Sequence, residues 1–165
     1  MSERAAALAA ELERQVAKFE RLVESLRDDQ LHLEGVNTPD NRFMDEDEHR
    51  PVNVIAYHVA SFMPRHLASM RARAAGESAP PTNAGVINAE EARERSGVTR
   101  AETLERLRAE APAAAEFIRG LSDEQLDRTF QTPMGEFTIE KGLSMILIGH
   151  VGMHRRSIEA TIEGS

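Results

Sequence analysis

Thr138 to Ile162 reads TIEKGLSMILIGHVGMHRRSIEATI. Apolar residues recur at Ile139, Leu143, Leu147 and Ile158, the three-and-four spacing that gives a helix one buried face. The stretch is therefore expected to be a single helix capped by Thr138. His150 and His154 share that face: at 100° per residue they fall within about 40° of each other and of the Leu143–Leu147 line. Two imidazoles one turn apart, with Cβ atoms roughly 5–6 Å from each other, can hold one metal ion between them. A neutral imidazole loses water on burial and needs a partner. The rest of the chain is therefore read for a third ligand.

At 165 residues the chain is expected to be one domain, residues 1–165, with a sizeable core. Hydrophobic residues make up 41% and charged residues 29%, a balance that argues against wholesale disorder. The net charge is −8 and no basic run exceeds Arg155-Arg156, which argues against nucleic-acid binding, since phosphate binding needs a positive surface. There is no cysteine, so disulfides and thiolate ligands are excluded. A metal must be held by His, Asp, Glu or water, and thiol chemistry must use an external thiol. No apolar run approaches the roughly 18 residues of a membrane span. The Ala-rich beginning is interrupted by Glu3, Arg4, Glu11, Glu13 and Arg14, unlike a secretory leader. A cytoplasmic location without membrane contact is expected.

Along the chain, Leu8, Leu12, Val16, Phe19, Val23 and Leu26 form the apolar line of a first helix from Ser2 to about Leu33. Gly35 to Arg50 reads as a loop. Its acidic run Asp45 to Glu48 lacks the glycine and alternating spacing of a calcium loop and is read as solvated. Pro51 opens a second helix with Val54, Ile55, His58, Phe62, Arg65 and Ser69 on one stripe and Pro64 expected to kink or break it. His66 lies near the edge of that stripe. Gly76 to Asn88 reads as a linker by composition, followed by a short helix over Ala89 to Arg95. Thr99 with Glu102 is a capping box for a third long helix that Gly120 ends, and Ser122 with Gln125 caps one further turn. Arg128 to Phe137 contains a Pro-Met-Gly turn consistent with a small hairpin. Four long amphipathic helices result, two of them joined by connections longer than the usual bundle loop.

A weak internal repeat picks out the third ligand. SLRDDQL (Ser25–Leu31) matches GLSDEQL (Gly120–Leu126), and each precedes a helix with an inward histidine: His58 lies 28 positions after Gln30, and His150 lies 25 after Gln125. Paired about a pseudo-twofold, the two halves bring His58 and His150 face to face. His58, rather than His66, His49 or His32, is then the best third ligand. Three histidines at one point suit tetrahedral zinc with an open fourth position, while nickel or iron would take more waters. The competing reading has His150 and His154 as structural histidines satisfied by their neighbours.

The segments VNVIAYHVASF and GEFTIEKGLSMILIGHVGMH, with one histidine on the second helix and H-x-x-x-H on the fourth, resemble the DinB/YfiT-like superfamily, which includes DinB proteins and the N-terminal domain of mycothiol-dependent maleylpyruvate isomerase. The resemblance covers nearly the whole chain. It implies an all-α, up-down four-helix bundle with long crossover connections, and a divalent metal held by His58, His150 and His154. It also implies thiol-dependent chemistry in which a low-molecular-weight thiol, mycothiol or bacillithiol, reacts as its thiolate. Two positions depart from the family pattern. Arg50-Pro51 stands where many relatives have Trp, and Val151 where many have an acidic residue; both bear on the pocket wall rather than on a ligand.

The expected function is a Zn²⁺- or Ni²⁺-dependent enzyme that activates a thiol for transfer, conjugation or isomerisation. The alternatives are a non-catalytic, stress-related metal-binding protein and a helical interaction module with structural histidines. Arg65 is a candidate anchor for a substrate or thiol carboxylate, against a bundle-end arginine snorkelling to water. No side chain stands out as a general base. Met145 and Ile148, opposite the histidines on the fourth helix, point to a homodimer.

Overall fold

The structure, a computed structural model, describes residues 2–38, 50–79 and 83–165. The acidic run Asp45–Glu48 and His49 lie outside the described residues. Helix α1 (Glu3–Ser25) starts where the Ser2 hydroxyl accepts the Ala5 N–H and buries Leu12, Val16, Phe19 and Val23 on one face. It stops earlier than the apolar line suggests. Leu26 turns to extended backbone, φ −65° and ψ 132°, yet remains buried. The chain restarts as the short α2 (Asp28–Leu31). Asp28 and Asp29 suit a helix N-terminus, and the Gln30 side chain accepts the Arg27 N–H at 2.9 Å, so a new helix start competes with continuation of the old one.

Pro51 precedes α3 (Val52–Ala74), which keeps Pro64 inside it without ending there. Asn83 then caps α4 (Ala84–Glu94). This corrects the linker expected over Gly76–Asn88: the helix begins inside it. No α4 residue is buried, so its sequence carries no apolar stripe to announce it. Thr99 and Glu102 form the capping box of α5 (Arg100–Arg119), and Ser122 and Gln125 that of α6 (Asp123–Asp127). Strands β1 (Thr129–Thr132) and β2 (Gly135–Thr138) form an antiparallel hairpin with Phe130 opposite Phe137. Its Phe130 ring seats against Gly142, where an added Cβ would lie 2.7 Å from Phe130 Cζ.

Thr138 caps the last rod as expected. The rod is α7 (Ile139–Gly142), a π-helical segment over Leu143–Ile148 and α8 (Gly149–Glu163). The Gly149 N–H bonds the Ser144 carbonyl, five residues back. A π turn holds one residue more than an α turn, so the face downstream lags the α register. That lag brings Ile148 and Val151 into the core beside Leu143, Leu147 and Ile158. Ile148 is therefore not on the outer face, and of the pair that suggested a homodimer only Met145 is exposed.

The long helices form the all-α four-helix bundle. Helix α1 packs on α5 and α8, and α3 packs on the same two, so α1 and α3 face each other across the diagonal. Ion pairs give the directions. Arg4 meets Glu140 near the starts of α1 and the last rod. Arg119 meets Glu13, and Arg108 meets Glu20 and Glu24, so α5 runs against α1. At the start of α3, the Asn53 amide donates to the carbonyls of Ser96 and Val98, 3.0 Å each, so α3 and α5 run side by side in one direction. The chain returns between them through the crossover that contains α4. Among the described residues no helix is long and apolar enough to cross a membrane.

Candidate metal centre

His58 sits on the face of α3 that meets α8, and α8 presents His150 and His154 from one side of its rod. The side chains converge. His58 Nε2 lies 3.1 Å from His150 Nε2, and His154 Nε2 lies 3.1 Å from the same atom. One nitrogen from each ring falls within 4.8 Å of the others. Tetrahedral zinc with bonds of about 2.0–2.1 Å would set neighbouring donors roughly 3.3 Å apart, so the spacing suits a single ion. His58 and His154 are buried, and His150 is partly exposed. His32 lies at the end of α2 and takes no part; His66 lines the cavity described below.

Glu91 on α4 fixes the tautomer of His58. His58 Nδ1 lies 2.8 Å from Glu91 Oε2, and the Ser61 hydroxyl donates to the other carboxylate oxygen. Burial pushes the Glu91 carboxyl up, but the hydrogen bonds from His58 and Ser61 and the charge of Arg65 outweigh it, and the net shift is downward. An ionised carboxylate only accepts, so Nδ1 carries the proton and Nε2 turns its lone pair toward His150. Burial, followed by the neighbouring histidine charges, holds His150 and His154 well below the ordinary imidazole range, so both rings are neutral near pH 7. The Nδ1 atom of His150 is buried without a hydrogen-bond partner. No single proton can lie along both 3.1 Å contacts of His150 Nε2, whereas a cation between the three nitrogens satisfies all of them. The residues therefore fit a divalent ion, and Glu91 takes the part of the carboxylate that orients a metal-bound histidine.

Sequence reasoning did not reach Glu91. It falls on the short helix expected over Ala89–Arg95, but its partner is 33 positions away and no pattern within that helix marks it. An inward-facing serine one turn after His58 is the only local trace, since Ser61 also bonds the His58 carbonyl at 3.1 Å.

A cavity of about 160 Å³ opens beside the triad, walled by His58, Phe62, Arg65, His66 and Ser69 of α3, Ala84, Ile87 and Asn88 of α4, and His150. Phe62 stacks on His150 at 4.0 Å and on His66 at 5.3 Å between ring centres. His66 is buried, and its Nε2 has no hydrogen-bond partner. Burial, with Arg73 nearby, lowers its pKa to about 4. The two family departures lie inside the protein, Arg50 and Val151 both being buried.

A family model described as the DinB superfamily matches residues 11–158. No curated protein matches the chain. Among solved structures, the chain is similar to YfiT from Bacillus subtilis, described as a probable metal-dependent hydrolase with an unusual four-helix bundle topology. The TM-score is 0.74 at 20% identity, over 99% of this chain and 89% of that one. It is also similar to the mycothiol-dependent maleylpyruvate isomerase, with a TM-score of 0.67 at 13% identity, over 96% of this chain but 63% of that longer one. At these identities the likeness is one of fold.

Proposed function

The chain belongs to the DinB superfamily over residues 11–158, and from that premise we propose that it is a divalent-metal-dependent enzyme whose His58, His150 and His154 hold Zn²⁺ or Ni²⁺. When bound, the ion supplies an open position at which an external low-molecular-weight thiol, mycothiol or bacillithiol, is acidified for transfer, conjugation or isomerisation. The chain's own residues prepare that position. Glu91 and Ser61 hold His58 in one tautomer. Phe62 fixes the plane of His150 by stacking. Burial keeps His150 and His154 unprotonated and ready to donate lone pairs. Arg65, half-buried on the cavity wall, is positioned to take the carboxylate of a substrate or thiol. The reading places the protein in the cytoplasm, where such thiols are held reduced.

The observation that carries this reading is that two of the three converging histidines, His58 and His150, also form the wall of a cavity. An ion that served only to hold the bundle together would need no such space. YfiT, a probable metal-dependent hydrolase, and the mycothiol-dependent isomerase agree with a metal and a thiol in this fold. The test is elemental analysis of tag-free protein, wild type beside His150→Ala. About one equivalent of zinc or nickel is expected in the wild type, as a three-histidine site requires, and a loss in the variant. Thiol-transfer assays with and without added thiol follow. Absence of metal from the wild type, no uptake on titration and no change in melting temperature would reduce the histidines to structural residues.

A further inference from the structure

The cavity beside the triad carries polar groups that metal binding does not use. His58, Phe62 and His66 follow one another along α3 at intervals of four, so the cavity runs from the triad about two turns, roughly 12 Å, down the helix. At its far end His66 is 9% exposed and its Nε2 is unpartnered, a costly arrangement for a neutral imidazole unless a ligand completes it. Arg65 stands on the same wall. Its charge is felt by Glu91 and His150, yet it has no ion-pair partner among the described residues. A half-buried guanidinium that feels Glu91 but forms no ion pair among the described residues, and a buried imidazole whose Nε2 has no hydrogen bond, line one cavity and give it an anion-binding character.

We propose that this end of the cavity is a subsite for the carboxylate of a small monoanionic ligand whose other end reaches the histidine triad, with Arg65 supplying the charge and His66 and Asn88 the hydrogen bonds. The inference deepens the proposed function and rests on it only for the head of the ligand. Charge and size both limit the tail. A single guanidinium with Glu91 nearby suits a monoanion better than a phosphate dianion. The volume of about 160 Å³ is close to the roughly 150 Å³ that accepts benzene, so the enclosed part is a carboxylate on a short chain.

The test has two arms. Metal-free ¹⁵N-labelled protein is titrated with butyrate and, in parallel, with butanol. The Arg65 Nε–H and His66 ring resonances shift saturably with butyrate and not with butanol. Arg65→Gln weakens the response by about tenfold or more, the scale of a lost charge-assisted hydrogen bond. Arg65→Lys keeps part of it, and His66→Phe weakens it while folding normally by circular dichroism. Absence of a saturable butyrate response in the wild type overturns the subsite. In the second arm, cobalt-loaded protein is titrated with 4-mercaptobutyrate and 4-mercaptobutanol and followed by thiolate-to-cobalt absorption. The acid binds more tightly than the alcohol in the wild type, and the two become equal in Arg65→Gln. Equal binding in the wild type overturns the subsite and leaves the thiol reading standing. A butyrate response in the first arm without binding of either thiol in the second supports the subsite and overturns the thiol reading.

Discussion

Glu91 decides which nitrogen of His58 faces the triad. Its carboxylate lies 2.8 Å from His58 Nδ1 and is held down in turn by Ser61, so the imidazole is turned and protonated before any ion arrives. Removal of such an outer carboxylate typically costs 10–100-fold in metal affinity. Glu91→Gln keeps an acceptor for Nδ1–H but loses the charge, and zinc affinity measured by chelator competition is expected to fall by about tenfold; Glu91→Ala is expected to fall further. Unchanged affinity in both would make the contact one of packing. The contrast with the histidines shows what a sequence discloses at this scale. His150 and His154 announce themselves because a fixed helical period places two residues of one type on one face, and His58 because a repeat aligns it with His150. Glu91 has no period to belong to: it is one of many surface-type glutamates until the fold carries α4 across α3.

The elements divide in the same way. Thr99 with Glu102, Ser122 with Gln125, and Thr138 each mark a helix start by local chemistry, and the structure places helix starts there. Helix α4 was legible only in its second half, as the short helix over Ala89–Arg95; its start at Ala84 was not, because nothing in it is buried and helical propensity without an apolar face is a weak signal. The π segment was illegible for another reason. One extra residue inside a long apolar helix leaves the spacing on either side intact and shifts only the phase between the two sides. This has a testable consequence. If Leu143–Ile148 holds one residue more than an α-helix would, deletion of the exposed Met145 closes the turn to α without rotating either flank. His150 and His154 should still face His58, and Ile148 and Val151 should stay in the core. The deletion variant is therefore expected to keep its helical circular dichroism and its metal stoichiometry. Deletion of Gly152, between the two histidines, should swing His154 about 100° away from His150 and abolish binding. Loss of metal in the Met145 deletion would mean that the π turn itself sets the histidine geometry.

At the scale of the whole molecule, the site makes the fold depend on pH. A bundle that buries imidazoles must keep them neutral, and the unfolded chain is free to protonate them. His66 makes the effect measurable, because it is buried away from the triad and its pKa falls from 6.5 to about 4. Between those values the unfolded state binds more protons than the folded one, so stability rises with pH. The contribution is complete above pH 6.5 and is lost as pH falls toward 4. A shift of that size corresponds to about 3 kcal/mol, or roughly 6–12 °C in melting temperature for a chain of this length. Metal-free wild type and His66→Leu should therefore be melted at pH 7.5 and at pH 4. Groups titrating elsewhere, including His154 and Glu91, act on both proteins and cancel in the comparison, while the part of the His150 shift that comes from the His66 charge belongs to the difference. The wild type is expected to lose more stability than the variant by about that amount. Parallel loss in the two would show that His66 meets solvent or a proton acceptor in the folded state, and the subsite built on it would lose its hydrogen-bond donor.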